Sequence, residues 1–305
     1  MIACDRCREP AVYLSRRDGV HLCGAHLMEQ VEAKTAGMLA SYTLADDERI
    51  AVALSGGKDS TVLLWLLNLL LGDGAADRLV AITVDEGIRG YRDETLAAAQ
   101  HLTQRLGINH IIVSFQDLFG ADLDSLLTGN QERACSVCGV YRRQALQQAA
   151  VETGAGVLAT GHCLDDEAQS VLMNYLRGDL TRIAGPQPEG TGYIPRIKPL
   201  GRVSEREVVV YGMVATLLSP LPECPYTVHA LRAEVRRALG VLEYRFPGTM
   251  LRIVEGEADL KRKVSGMVPP SVLSRCSRCG APCSGTLCQR CKIEGLLDRS
   301  GNVQK

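Results

Sequence analysis

Apolar runs of strand length alternate with longer helical stretches through the first two thirds of the chain. Ile50 to Leu54 is an unbroken apolar run, and Val62 to Leu71 behind it reads as a helix packed on that strand. The alternation repeats with Leu79 to Val84 as a strand, Arg89 to Leu106 as a helix and Ile108 to Val113 as a third strand. Gly156 to Thr160 is a fourth strand, leading to a helix from Ala168 to Arg177. Strands that alternate with helices through short connections pair in parallel, so the pattern predicts an α/β fold with a doubly wound parallel sheet. Leu27 to Leu44 reads as a leading helix, Tyr141-Arg142-Arg143 opens another, and Gly178 to Pro199 is a Gly/Pro-rich loop. Ser204 to Leu218, His229 to Gly240 and Thr249 to Lys263 add helices, followed by a linker at Gly266-Met267-Val268-Pro269-Pro270.

Length and composition change this picture little. At 305 residues, one main domain with small appendages is expected, and 46% hydrophobic residues are ample for a core. Aromatic residues make up only 4%, so the packing is largely aliphatic. Charge is more informative. The net charge of −1 hides an asymmetry: His229 to Lys305 holds 14 Lys/Arg against 7 Asp/Glu. A basic C-terminal third is a candidate nucleic-acid footprint, although solvated helix faces produce such counts too. Met1-Ile2-Ala3-Cys4 runs directly into polar residues, unlike a secretory signal, and no run has the length of a membrane span. A cytoplasmic protein without a membrane partner is expected, and its 12 cysteines point to metal rather than disulfides.

The chemistry starts between the first strand and its helix. Ser55-Gly56-Gly57-Lys58-Asp59-Ser60 puts backbone N–H groups, a lysine and a helix N-terminus around one point, which makes a phosphate cradle. It is not a Walker A loop, because G-x-x-x-x-G-K-[ST] cannot be laid over it. Ligands of an open α/β sheet bind at the carboxyl ends of strands, where Ala53, Leu54, Asp85 and Gly161 also fall. Asp165 and Asp166 open the next helix, where capping accounts for at least one and a magnesium or substrate contact is the other role. His162 reads as a hydrogen-bonded structural histidine rather than a base.

Cys4-x2-Cys7, then fifteen residues, then Cys23-x2-His26 suits tetrahedral zinc with three thiolates and one imidazole. His21 is a competitor for His26 with poorer spacing. Four protein ligands leave no open coordination position, and the fragment is too small to build its own core, so the metal is read as structural. Cys276-x2-Cys279, eight residues, and Cys288-x2-Cys291 form a second such set, with Cys283 spare. Arg275, Arg278, Arg290 and Lys292 decorate it, which suits phosphate contacts. Cys135-x2-Cys138 has no second pair nearby, and a third thiolate would come from Cys163 or Cys224. Three thiolates on a four-iron cluster leave one iron open to an exogenous ligand. A redox dithiol and inert packing are the alternatives.

SGGKDS resembles the PP-loop of ATP pyrophosphatases, which cleave ATP to AMP and pyrophosphate in order to adenylate a substrate. Together with Val84-Asp85-Glu86-Gly87-Ile88, Thr160-Gly161-His162, Asp165-Asp166 and the cysteine framework, the whole chain resembles the tRNA 2-thiolation branch of the PP-loop superfamily. The resemblance implies an N-terminal zinc knuckle (1–30), a PP-loop ATP pyrophosphatase domain with a helical C-terminal part (31–265), and a linker with a second knuckle (266–305). It implies ATP, Mg2+, two Zn2+ and a [4Fe-4S] cluster on Cys135, Cys138 and Cys224. The open iron would hold hydrosulfide, or one of these cysteines would carry a persulfide. The implied reaction is adenylation of the C2 carbonyl of a tRNA uridine, followed by sulfur transfer.

In that reaction Gly56, Gly57 and Lys58 would stabilise the polyphosphate, and Ser55 and Ser60 would donate hydroxyls to it. Asp59 and Asp85 would contact nucleotide or magnesium, and Asp165 would lie beside them. Arg142 and Arg143 would neutralise substrate phosphate or the AMP leaving group. The implied partners are tRNA, a sulfur donor (a ubiquitin-like carrier thiocarboxylate or free sulfide) and a second copy in a homodimer. Gly90-Tyr91-Arg92-Asp93, Gln116 to Gly120, Cys138 to Arg143 and Leu176-Arg177-Gly178-Asp179 resemble the enzymes acting on wobble uridine 34. The type acting on uridine 54 shares the metal sites but matches those stretches less well. A zinc-knuckle RNA-binding module without ATP chemistry would need a degraded PP-loop, and SGGKDS is intact. One departure is Cys163, where the family usually carries Asn.

Overall fold

The computed structural model describes residues 2–127, 131–185, 192–226, 231–264, 267 and 272–300. His229 and the linker residues Gly266, Val268, Pro269 and Pro270 lie outside them, as does the expected boundary at 265/266. The chain opens with a hairpin of β1 (Tyr13–Ser15) and β2 (Val20–Leu22), then α1 (Gly24–Ala40), which runs unbroken through the boundary expected at residue 30. The central unit follows as β3 (Ile50–Ala53), α2 (Lys58–Leu71), α3 (Ala75–Arg78), β4 (Leu79–Asp85), α4 (Arg92–Leu106) and β5 (Asn109–Ser114). Next come α5 (Phe115–Phe119), α6 (Leu123–Leu126), α7 (Ala134–Glu152), β6 (Val157–Thr160), α8 (Leu164–Leu176), α9 (Leu180–Ala184) and β7 (Arg196–Ile197). The C-terminal part holds α10 (Glu205–Val214), α11 (Leu231–Arg245), α12 (Thr249–Lys263), the β8 (Ser274–Arg275) and β9 (Pro282–Cys283) pair, and α13 (Gln289–Ser300).

The five-stranded sheet has the order β5-β4-β3-β6-β7 and every pair is parallel. Successive strands leave β3 first to one side and then to the other. The crevice of such a sheet opens where the order reverses, here between the carboxyl ends of β3 and β6. Ala53 stands opposite both Ile82 and Thr160, so these strands end together around it. Side chains alternate between two cores, as the period of a strand requires. Ile50 and Val52 pack with Leu27, Val31, the apolar face of α2 and Tyr211. Ala51, Val80, Ile82 and Val84 pack with Phe115 and Tyr141. The one tryptophan, Trp65 on α2, is half-buried with the Arg105 guanidinium 5.0 Å from its ring centre.

The doubly wound parallel sheet stands as expected, and several local expectations change. β7 lies inside the stretch expected to be loop; at two residues it is too short to carry a period. α7 begins at Ala134, so Cys135 and Cys138 stand on a helix one turn apart and not in a loop. α2 and α8 begin at Lys58 and Leu164, ahead of the apolar runs, because their polar first turns are helical too. α1 starts and ends earlier than expected, at Gly24 and Ala40, while α11 runs past Gly240 to Arg245. α10 starts at a capping box: the Glu207 N–H donates to Ser204 Oγ at 3.3 Å, and the Ser204 N–H to Glu207 Oε2 at 2.9 Å.

The β3–α2 turn packs closely against the backbone of α4. Gly56 has φ +83°, and a Cβ built on it would lie 2.0 Å from the carbonyl oxygen of Thr95 on α4. Left-handed backbone and overpacking together cost about 2–4 kcal/mol for a residue with a side chain. Gly56→Ala is therefore expected to lower the thermal midpoint by several degrees. A midpoint equal to that of the parent protein would show that α4 yields freely at this contact.

Candidate active site

The PP-loop is ordered by its own side chains. Ser60 Oγ accepts the Ser55 N–H at 3.1 Å and donates to the Gly57 carbonyl at 2.9 Å, while Ser55 Oγ accepts the Gly57 N–H at 3.3 Å. Gly161 closes against it from β6, since a Cβ there would lie 3.0 Å from the Ser60 nitrogen. Lys58 Nζ lies 2.8 Å from Asp59 and 3.0 Å from Glu205 at the start of α10. Burial pulls the Lys58 ammonium down, but these two carboxylates outweigh it and hold its pKa above the ordinary value. Burial raises the pKa of Asp59 despite Lys58. Asp59 Oδ1 is buried with no hydrogen-bond partner among the described residues, an orphan that suits a nucleotide or a cation.

A cleft of about 470 Å³ opens over this loop. Ala53, Leu54, Ser55, Gly57, Asp59, Ser60 and Gly161 line it, joined by Glu86, Arg142, His162, Asp166 and Arg232. Asp85 is not among the lining residues; its carboxylate accepts the Gly87 N–H at 2.9 Å and fixes the turn after β4. Glu86 takes the cleft-facing position, continuing the face of Ile82 and Val84 by the two-residue period. That period was legible in the sequence, and applying it one residue past the strand would have found Glu86.

Glu86 is 2% exposed and lies between two guanidinium groups, Arg92 at 2.9 Å and Arg142 at 2.6 Å. Arg92 also donates to the carbonyls of Ser55, at 3.3 Å, and of Val84. Arg142 donates to Cys138 Sγ at 3.3 Å. Burial opposes the charge on Arg142, and Glu86 with Cys138 more than restores it. One carboxylate thus ties the PP-loop to the cysteine helix.

Cys135 and Cys138 share one face of α7, and Cys224 lies near enough to raise the pKa of both thiols. Burial is the larger cause, and it pushes Cys138 up to about 11. Cys135 donates to the Tyr226 carbonyl at 3.2 Å, which ties the Cys224 loop back to α7. Cys163 belongs elsewhere: it precedes α8, is buried, and its Sγ lies 3.4 Å from Asp166 Oδ2. The capping interaction of Asp166 with the Cys163 N–H, at 3.2 Å, accounts for one of the two aspartates. Asp165 accepts the Glu205 N–H at 2.8 Å and lies outside the cleft lining. His162 contacts Thr160 Oγ1 at 2.8 Å, and burial lowers its pKa, so it is a neutral structural histidine here.

Among the described residues, two groups have ligand atoms all within 4.8 Å of one another: Cys4, Cys7, Cys23 and His26, and Cys276, Cys279, Cys288 and Cys291. Each matches a tetrahedral donor set for one ion. His26 Nδ1 lies 3.4 Å from Cys4 Sγ and 3.3 Å from Cys23 Sγ, whereas His21 faces Asp5 at 3.5 Å. Cys135, Cys138 and Cys224 do not form such a single-ion group. Of the three, Cys138 accepts from Arg142 and Cys135 donates to the Tyr226 carbonyl. The second knuckle docks on α7: Arg290 donates to Gln144 Oε1 at 3.1 Å, and Tyr141 to Glu294 Oε1 at 3.3 Å. Glu86, Arg92, Glu205 and Arg232 are the site residues that motif reading did not single out; Glu205 and Arg232 are brought in from helices far along the chain.

Residues 27–217 match the family model of a PP-loop domain. The tRNA 2-thiolation protein NcsA of Haloferax volcanii is 36% identical over 95% of this chain and 97% of its own. Cytoplasmic tRNA 2-thiolation protein 1 of Bos taurus is 38% identical over 97% of this chain and 88% of its own. A solved structure, the U34-tRNA thiolase NcsA from Methanococcus maripaludis with its [4Fe-4S] cluster, superposes with a TM-score of 0.83 at 33% identity, covering 97% of both chains. Among the described residues no helix is long and apolar enough to cross a membrane. With the loop, the cysteine framework and these relatives in agreement, the chain belongs to the PP-loop family of tRNA 2-thiolation proteins.

Proposed function

We propose that this chain is an ATP-dependent tRNA 2-thiolase that acts on wobble uridine 34, adenylating the C2 carbonyl and then replacing its oxygen with sulfur. The observation that carries the reading is the bridge from Arg92 through Glu86 to Arg142, which holds the nucleotide loop and the cysteine helix at one cleft. The choice of uridine 34 over uridine 54 is supported by the likeness, over nearly the whole chain, to a thiolase of uridine 34.

The carbonyl oxygen of a uracil is a poor leaving group. Attack of that oxygen on the α-phosphorus of ATP expels pyrophosphate, and displacement by sulfur at C2 then releases AMP carrying the oxygen. The N–H groups of Gly56 and Gly57, with Lys58, would hold the charge that builds on the departing pyrophosphate. Ser55 and Ser60 would present hydroxyls to the same phosphates once a ligand competes for their mutual contacts. The orphaned oxygen of Asp59 would take magnesium or the nucleotide. Arg142, kept charged by Glu86, would face the adenylate phosphate. Cys135, Cys138 and Cys224 would hold a [4Fe-4S] cluster, whose chemistry when bound is to offer an open iron to sulfur. Zinc in the two knuckles would be structural. The sulfur donor, a ubiquitin-like carrier thiocarboxylate or free sulfide, and assembly as a homodimer are proposed on the family resemblance alone.

Lys58→Ala and Asp59→Ala are each expected to slow pyrophosphate release by about a hundredfold or more while two zinc ions per chain remain bound. Full thiolation by either variant would refute the assignment of the loop. Cys224→Ala is expected to bleach the iron absorbance as thoroughly as Cys135→Ala, and Cys163→Ala to keep it; the reverse pattern would make Cys163 the third ligand. Mass spectrometry of tRNA from a deletion strain tests the substrate. The expected result is loss of 2-thiolation at position 34, and loss at position 54 alone would overturn the choice.

A further inference from the structure

Arg142 and Arg143 are neighbours in sequence with opposite fates. About 100° of helix rotation separates successive residues. Arg142 turns inward to Glu86 and Cys138, and its charge is spoken for. Arg143 turns out to the surface, where its guanidinium lies back along α7 over Gly139; a Cβ on that glycine would be 3.2 Å from Arg143 Nη1. Among the described residues, Arg143 makes no ion pair, and the charges acting most strongly on it include no carboxylate. Its neighbours make the isolation sharper. Partial desolvation and the nearby charges of Arg196, Arg182 and Arg142 all act against its protonated form. Of these, Arg182 is neutralised by Asp179 at 3.1 Å.

The docked second knuckle extends this positive surface. It sits on Gln144, the residue after Arg143. From the same knuckle Arg275 reaches the turn that leads into β7: its Nη2 is 3.9 Å from a Cβ built on Gly192. β7 in turn presents Arg196. Like charges gathered close together are unfavourable in the free protein, and a polyanion relieves them.

We propose that Arg143, Arg196 and Arg275 form a track for the sugar–phosphate backbone of the RNA, gripping phosphates beside the target uridine while its base enters the cleft past Arg142. The track separates two functions that adjacent arginines could share. Arg142 serves the reacting phosphate inside, and Arg143 serves the RNA phosphates outside, where contacts position the strand without reading sequence. The proposal rests on the reading of the chain as a tRNA thiolase. The tRNA mass spectrometry tests that reading, and the binding measurements below test the track.

Binding of unmodified tRNA to the iron- and zinc-loaded protein would be measured over a range of salt for the parent, for Arg143→Ala, and for Arg143→Ala with Arg275→Ala. Each lost phosphate contact reduces the slope of log affinity against log salt by about one. The single variant is expected to bind tRNA several-fold more weakly with a slope shallower by about one, and the double variant to lose about one more. ATP affinity and iron content are expected to match the parent in both. An unchanged slope in Arg143→Ala overturns the proposal, as does a double variant no different from the single one. Loss of ATP binding or of iron in Arg143→Ala would overturn it too, by moving that arginine inside the reacting site.

Discussion

Three parts of the molecule meet at the carboxylate of Glu86. It stands at the end of β4, almost without solvent, with Arg92 on one side and Arg142 on the other. Through Arg92 it reaches the carbonyl of Ser55, the first residue of the PP-loop, and through Arg142 the sulfur of Cys138. Breaking a buried charge pair costs on the order of 3–5 kcal/mol, because the partner left behind stays desolvated. Arg92 is buried like Glu86 and cannot leave cheaply, whereas Arg142 reaches Glu86 from a partly exposed position, so loop and cysteines are joined through an ion-paired carboxylate and not by shape alone. Two guanidinium groups to one carboxylate also leave a positive excess, which suits a site that must accept phosphate.

The two knuckles act on this core from separate places. The last ligands of the first, Cys23 and His26, stand just before and within the first turn of α1, and that helix carries Gln30 and Lys34 to the buried Glu207 at 3.0 and 2.6 Å. Glu207 is also the capping residue of α10, whose first residue, Glu205, contacts Lys58. The second knuckle presses on α7 beside the cysteines, with Arg290 5.0 Å from the ring centre of Phe119. A four-ligand set near either end of the chain thus packs against elements that carry cleft or loop contacts. Their tight ligand spacing makes such packing possible in a segment with little core of its own.

Features written in short stretches were legible from the sequence. Both four-ligand sets, the phosphate loop and the alternation that builds the sheet depend on neighbours a few residues apart, and the structure places them as read. Features that depend on packing were not. The start of α7 at Ala134 escaped notice because Cys135-Ser136-Val137-Cys138-Gly139 has no apolar period and resembles a ligand loop. β7 escaped because its two residues gain strand geometry only from pairing with β6. Arg232 and Glu205 enter the site from helices far along the chain, and no local signal announces that. Glu86 is the intermediate case, since the period of β4 reaches it while the chemistry of the adjacent Asp85 draws attention away.

The scarcity of aromatic residues has a spectroscopic consequence. The only indole in the chain is Trp65, on the same helix that begins with Lys58, Asp59 and Ser60. Arg105 stacks near its ring, and Tyr211 of α10 lies within its reach. Tryptophan emission from this protein therefore has one source, two turns behind the phosphate loop, and its quenching environment is shared between α4 and α10. Light from that residue reports on the helix that carries the loop and on its packing against α4 and α10.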